Sequence, residues 1–246
     1  MKKKIYILSN FTFQPFKTFI NKDSKKFNLD LKINIGKFNQ IDQELYDIKK
    51  NKTLLNSDLI LLAIDFNYFY PENSFNYSRK NNNEIIEIIN KWLKIIRENT
   101  SAKIIVWNFV GDINSYKFFI NCFDESDNLR IVEKLNIKLR NLIKNFKDVL
   151  VFQINKIVQN YGIKNVYDDR FTYLAKVPFN SEYYEKISFN LVRLISASFS
   201  TPKKCLVLDL DNTLWGGVLG EDGMSGIKLG NNYEGSKFVE FQKYIL

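Results

Sequence analysis

Short, almost wholly apolar runs alternate with longer stretches of helical periodicity from the amino terminus onward. No other feature of the sequence limits the available folds so strongly. Residues 4–8, 29–35, 59–64 (Leu-Ile-Leu-Leu-Ala-Ile), 103–107 and 149–152 read as strands, and residues 14–26, 40–50, 84–98, 128–146 and 183–199 as helices. Within 84–98, Ile85, Ile86, Ile88, Ile89, Trp92, Leu93 and Ile96 recur at helical spacing. Strands apolar on both faces, joined through helices, predict an α/β fold with a mostly parallel sheet covered on both sides. Such folds take ligands beyond the carboxyl ends of their strands, where Ser9, Asp65 and Asn108 fall. Residues 65–80, rich in Asn and carrying Phe66, Tyr68, Phe69, Tyr70, Phe75 and Tyr77, read as an aromatic loop that packs as core and lid, with a partner-facing role as the alternative.

The helical pattern stops at Phe199, and Ser200-Thr201-Pro202-Lys203-Lys204 breaks it. A boundary near residue 200 is expected, with one domain over 1–200 and the beginning of another over 203–246. No apolar run approaches the roughly 18 residues that a membrane span needs, and the apolar stretch after Lys4 is too short for a secretion signal. Cys122 and Cys205 lack metal-ligand spacing and read as small core residues. A cytoplasmic protein with no membrane partner is expected. The net charge of +9 comes mainly from Lys, with only six Arg, spread along the chain rather than gathered on one segment. That distribution argues against nucleic acid as a partner. The sequence contains no His, which removes serine–histidine catalysis altogether.

Chemistry is concentrated in residues 205–217, Cys-Leu-Val-Leu-Asp-Leu-Asp-Asn-Thr-Leu-Trp-Gly-Gly. An apolar run leads into Asp209 and Asp211, and on a strand positions i and i+2 point the same way. Two carboxylates aimed together repel unless a cation joins them, and a hard divalent ion such as Mg2+ suits oxygen donors. With a phosphoryl group in the same shell, the first carboxylate can attack phosphorus and the second can serve as acid and base. A solvated Asx turn is the alternative, which the buried character of Leu-Val-Leu disfavours.

This run, continued by Val218-Leu219-Gly220-Glu221-Asp222-Gly223, through Gly230 and into Phe238-Val239-Glu240-Phe241-Gln242, resembles the FkbH-like branch (subfamily IIIC) of the haloacid dehalogenase (HAD) superfamily. The resemblance implies a Rossmann-like HAD domain with Asp209 as nucleophile, Asp211 as acid/base, Asp209 and the Asp211 carbonyl as Mg2+ ligands, and Asn212 and Thr213 at the phosphate. It further implies a phosphorylated small molecule as substrate and an acyl carrier protein as a possible glyceryl acceptor. A plain phosphatase remains open, as does a non-catalytic module carrying a vestigial HAD segment. The family pattern continues with a Ser or Thr, a Lys and an acidic pair beyond this motif, so a fragment of a longer protein is expected, inactive as it stands.

The amino-terminal part resembles the family's leading domain, which is SGNH-hydrolase-like within a flavodoxin-like parallel-sheet fold. Ser9 and Asn10 stand where that fold places its nucleophile, and Asn108 where it places an oxyanion donor. Residues 167–179 resemble the family's late loop. An SGNH hydrolase needs Asp-x-x-His there, and this chain has Phe171 or Thr172 at the histidine's place. The resemblance therefore implies a degenerate cleft in which Ser9 is a weak nucleophile, with Ser9 and Asn108 as strand-end caps or parts of a retained binding cleft.

Overall fold

All five side chains of Leu59–Ala63 are fully buried, a condition that only the middle of a sheet covered on both faces can meet. The computed structural model describes residues 1–66, 69, 81–110, 128–201 and 204–246. Tyr68, Tyr70, Phe75, Tyr77, Cys122, Pro202 and Lys203 lie outside the described residues. The chain divides into two compact units, Met1–Ser200 and Thr201–Leu246.

The first unit runs β1 (Lys2–Ser9), α1 (Gln14–Lys26), β2 (Asp30–Ile35), α2 (Ile41–Tyr46), α3 (Lys52–Leu55), β3 (Leu59–Ala63), α4 (Asn82–Asn99), β4 (Lys103–Trp107), α5 (Asn128–Ile143), β5 (Val149–Phe152), α6 (Ile154–Tyr161), α7 (Ile163–Val166), α8 (Asp169–Ala175) and α9 (Tyr184–Phe199). The five strands form one parallel sheet in the order β2-β1-β3-β4-β5. Alternation along each strand divides the core. Ile5, Ile7, Leu59, Leu61, Ile105 and Trp107 pack on one face with α1, α6 and α9. Tyr6, Leu8, Ile60, Leu62, Ile104 and Val106 pack on the other with α2, α4 and α5. Phe66 and Phe69 are buried in this second layer, where Phe69 lies 6.3 Å from Trp92 and 5.9 Å from Phe109. The fold is therefore the α/β, doubly covered parallel sheet that the alternation predicts.

The predicted 40–50 helix is replaced by α2, a 3-10 turn at Ile48–Lys50 and α3. One interaction dictates the break. After β2 the chain turns at Gly36, where a Cβ would come within 2.7 Å of the Glu44 carboxylate, so that carboxylate can reach the Lys37 N–H. Tyr6 donates to Glu44 Oε2 at 2.7 Å and accepts from Asn51 Nδ2 at 2.9 Å, which satisfies a buried carboxylate from the sheet side.

The second unit contains α10 (Leu219–Gly226) and α11 (Ser236–Ile245). The strand predicted just before Asp209 is not formed: residues 204–210 carry no regular secondary structure, and Leu206, Val207 and Leu210 are 66%, 88% and 50% exposed. Strand propensity expresses itself only when backbone N–H and C=O groups find a neighbouring strand, and the described residues provide none here. Cys205, predicted to be a core residue, is exposed for the same reason.

Burial, followed by the bond to Glu44, raises the Tyr6 hydroxyl from 10.0 to about 12. A proton held more tightly in the folded state adds stability that is complete below pH ~10 and is lost as the pH climbs to about 12. Urea unfolding of the native chain should therefore weaken across that window by up to about 3 kcal/mol more than that of Tyr6→Phe. Parallel pH profiles would show Tyr6 to be electrostatically inert.

Candidate functional site

In the first unit the polar residues at the carboxyl ends of the strands converge, but each is occupied by the scaffold. Ser9 is buried, donates to Phe11 O at 2.9 Å, and accepts from Phe11 N at 3.1 Å, which closes a tight turn after β1. Asn10 bridges to the end of β3: its Oδ1 accepts from Asp65 N at 2.7 Å and its Nδ2 donates to Asp65 O at 3.4 Å. Asn108 faces the start of α6, accepting from Asn155 N at 3.2 Å and donating to Asn155 Oδ1 at 2.6 Å. It thus caps a helix whose own N-cap residue, Gln153, makes no side-chain cap bond. Beneath these groups Phe11 packs 5.7 Å from Trp107 and 5.6 Å from Phe179, so apolar rings fill the space next to the Ser9 turn.

Two residues at this edge, Asn136 and Asn155, are not singled out by the sequence, and Tyr167 is marked there only as part of the late loop, with no role of its own. Asn136 of α5 takes both backbone groups of Phe109, accepting from its N–H at 2.9 Å and donating to its carbonyl at 2.8 Å. Asn155 closes the Asn108 pair. Tyr167 is raised well above its ordinary range by burial, then by the charge of Asp65 and a hydrogen bond to it. The only sequence signal for these was an Asn or Tyr on an otherwise helical or apolar stretch, too common in this Asn-rich chain to single out. On the late loop Asp168 pairs with Arg170 at 2.8 Å, and the hydrogen bond from Arg170 holds the Asp168 carboxyl below its ordinary range.

In the second unit the acidic motif leads into a compact loop. Asp211 Oδ1 accepts from Trp215 Nε1 at 3.1 Å and from Leu219 N at 3.2 Å. Asn212 takes the left-handed conformation at φ 54°, and its Oδ1 accepts from Gly217 N at 2.9 Å, with Gly217 itself at φ 98°. Gly216 pairs with Lys228 in both directions, and Asp222 Oδ2 caps α10 by accepting from Val218 N at 2.8 Å. Gln242 of α11 donates to Leu214 O at 2.7 Å and ties the second helix to the loop. Asp209 is exposed, its Oδ1 accepting from the neighbouring Leu210 N at 2.9 Å. The expected common direction of Asp209 and Asp211 rested on strand geometry that the segment does not adopt. Thr213 contributes its backbone N–H to Leu210 O at 3.2 Å.

The donors suit Mg2+ in kind and fall short in number. Among the described residues no group of three His, Cys, Asp or Glu is placed to hold a metal ion, and one Asp211 oxygen already accepts two hydrogen bonds. An octahedral Mg2+ shell is not supplied by the residues described. No helix among the described residues is long and apolar enough to cross a membrane.

Comparison with known proteins places this geometry. No curated protein matches the chain. Among solved structures, the N-terminal part of protein BF1531 from Bacteroides fragilis, which contains a phosphatase domain complexed with Mg, aligns with a TM-score of 0.78 at 23% identity, over 99% of this chain and 65% of that one. This chain thus spans just under two thirds of that protein's crystallised length. Acetyl xylan esterase AlAXEase aligns with a TM-score of 0.54 at 12% identity, over 78% of this chain and 99% of its own. A candidate GDSL-like lipase from Parabacteroides merdae gives 0.53 at 11% identity, over 80% and 98%. These likenesses establish an SGNH/GDSL-like hydrolase fold for the first unit. Residues 4–195 match the family described as FkbH, N-terminal domain, and the chain belongs to that family.

Proposed function

We propose that this chain acts as an FkbH-like phosphoryl-processing protein of HAD subfamily IIIC, with residues 203–246 as the opening portion of a HAD-type domain. The observation that carries the reading is the loop after Asp209-x-Asp211. Its carboxylate, amide and glycine contacts hold Asp211 at the mouth of a turn that the motif's own residues build. The phosphatase domain and Mg of the Bacteroides protein support the same reading. In this proposal a carboxylate oxygen of Asp209 forms a bond to phosphorus while the leaving oxygen takes a proton from Asp211. Water then attacks phosphorus, passes its proton to Asp211, and restores Asp209 as phosphate departs. Asn212 and Thr213 lie at the phosphoryl oxygens. Mg2+ is the proposed cofactor, a phosphorylated three-carbon compound the proposed substrate class, and an acyl carrier protein the proposed acceptor where a glyceryl unit is transferred.

A polypeptide that completes the domain with the Lys and acidic pair of the family pattern should release phosphate from acetyl phosphate or a phosphoglycerate only with Mg2+. Asp209→Asn should abolish that release. The 246-residue chain alone should show little, because each missing donor to the transferring group typically costs about two to three decades of rate. Retained turnover in Asp209→Asn would remove Asp209 from the nucleophile's role.

The exposed, unpaired 204–210 segment favours a second reading, a non-catalytic SGNH-like module with a vestigial HAD segment. It predicts no phosphate release from the completed polypeptide either.

Ser9 is proposed to have no esterase role. With no His in the chain and its hydroxyl donating to Phe11 O within its own turn, Ser9 has no imidazole base to take its proton. Hydrolysis of p-nitrophenyl acetate should be equal in the native chain and Ser9→Ala, and a Ser9-dependent rate would contradict this.

A further inference from the structure

The stretch between α7 and α9 passes the carboxyl edge of the sheet and closes on itself. Its ends meet in an antiparallel bridge between Tyr167 and Phe179, backed by Asp168 N donating to Pro178 O at 3.1 Å and Asn180 N to Val166 O at 2.8 Å. Between them lie α8 and a left-handed turn at Lys176, φ 55°. One backbone hydrogen bond, from Thr12 N to Lys176 O at 2.8 Å, ties this loop to the turn after β1. A second tie is apolar, Phe179 against Phe11 and Trp107. The third is the hydrogen bond between Tyr167 and the Asp65 carboxylate, and Asp65 is itself clasped at its backbone by Asn10.

We propose that residues 167–179 form a strap latched over the Ser9 turn by Tyr167 and Asp65, able to open as a unit while the sheet stays folded. Two features of the strap separate it from the body of the unit. Its helix has seven residues, too few to be stable alone, and Phe171, Tyr173 and Leu174 on it are 37%, 59% and 86% exposed, so little burial secures its outer face. The strap is held at its two ends, by Tyr167 on Asp65 and by Lys176 O together with the buried Val177 and Phe179, whereas β3 and β4 are buried on both faces along their whole length, and a segment anchored only at its ends opens at lower free energy than the core. With the strap closed, Ser9 and Phe11 are each 4% exposed. Solvent or solute therefore reaches that turn only in the open form, and the latch sets how often that form is available.

Amide hydrogen exchange on the 246-residue chain, followed across sub-denaturing urea, tests this. Thr12, Val177 and Asn180 should exchange with shallow urea dependence, while Leu61 and Val106 exchange only through global unfolding with steep dependence. Tyr167→Phe keeps the ring and removes the latch, and should speed exchange at Thr12 and Val177 by about tenfold or more, given the usual worth of a hydrogen bond to a charged group. Leu61 and Val106 should change far less. Steep urea dependence at Thr12 and Val177 in the native chain would overturn the strap, and that measurement stands even if the variant does not fold. Unchanged exchange in a folded Tyr167→Phe, or equal acceleration at every amide, would overturn the latch. None of these outcomes depends on phosphoryl chemistry at Asp209.

Discussion

Everything in the first unit follows from the burial of β3 on both faces. Five consecutive apolar residues with no exposure require a strand on each side and a helical layer above and below. β1 and β4 supply the strands through the registers Ile5↔Leu59 and Leu59↔Lys103. Parallel pairing forbids tight hairpins, so each connection must cross a face, and the crossovers are the helices. At roughly 25 cal/mol per Å2 of apolar surface, this two-sided core outweighs any polar contact in the unit. The polar residues are therefore arranged around it.

That hierarchy explains the carboxyl edge. Where the strands end, backbone groups leave the ladder and need partners that helices cannot supply. Ser9, Asn10, Asn108 and Asn136 meet this need with side-chain bonds to nearby backbone groups, and Asn155 Oδ1 accepts from the Asn108 side-chain amide. A hydrolase would keep some of these groups free to face a substrate. Here the hydroxyl of Ser9 and both ends of the Asn10 and Asn108 amides serve the scaffold, and Phe11 packs beside them. Fold likeness to esterases does not by itself carry their chemistry, because the architecture depends on the core and the activity on a few edge groups left unengaged.

The sequence made the sheet legible because parallel strands buried on both faces leave uninterrupted apolar runs, and the flanking helices show in the spacing of residues such as Ile85, Ile89, Trp92 and Ile96. Less visible was the short-range structure. The 40–50 helix is interrupted because Glu44 turns inward to Tyr6 and Lys37, a tertiary bond with no local signature. α6, with Ile154, Ile157 and Val158 buried, carried a helical pattern too brief to separate from a loop. At the candidate site, the identities of Asp209 and Asp211 could be read from spacing, but the direction of their side chains could not. That direction depends on whether the preceding apolar residues find a sheet.

The same dependence bears on the chemistry of the second unit. The loop from Asp211 to Lys228 is folded by contacts among its own residues, so it needs no sheet to exist. The approach to it does: Leu206, Val207 and Leu210 are apolar groups in water, and an unpaired strand edge of this kind is a template for pairing. Nucleophilic attack by a carboxylate on a phosphoryl group requires the reverse surroundings, a site from which water is excluded and in which fixed donors meet the developing charge. Pairing of 204–210 into a sheet would satisfy both demands at once. It would bury the apolar side chains and, by imposing strand geometry, bring Asp209 and Asp211 to the same side. In this unit the packing of Leu206, Val207 and Leu208 therefore comes before any chemistry of the proposed kind: Asp209 is exposed as the segment stands, and the nucleophile's role proposed for it calls for those apolar residues to be covered first.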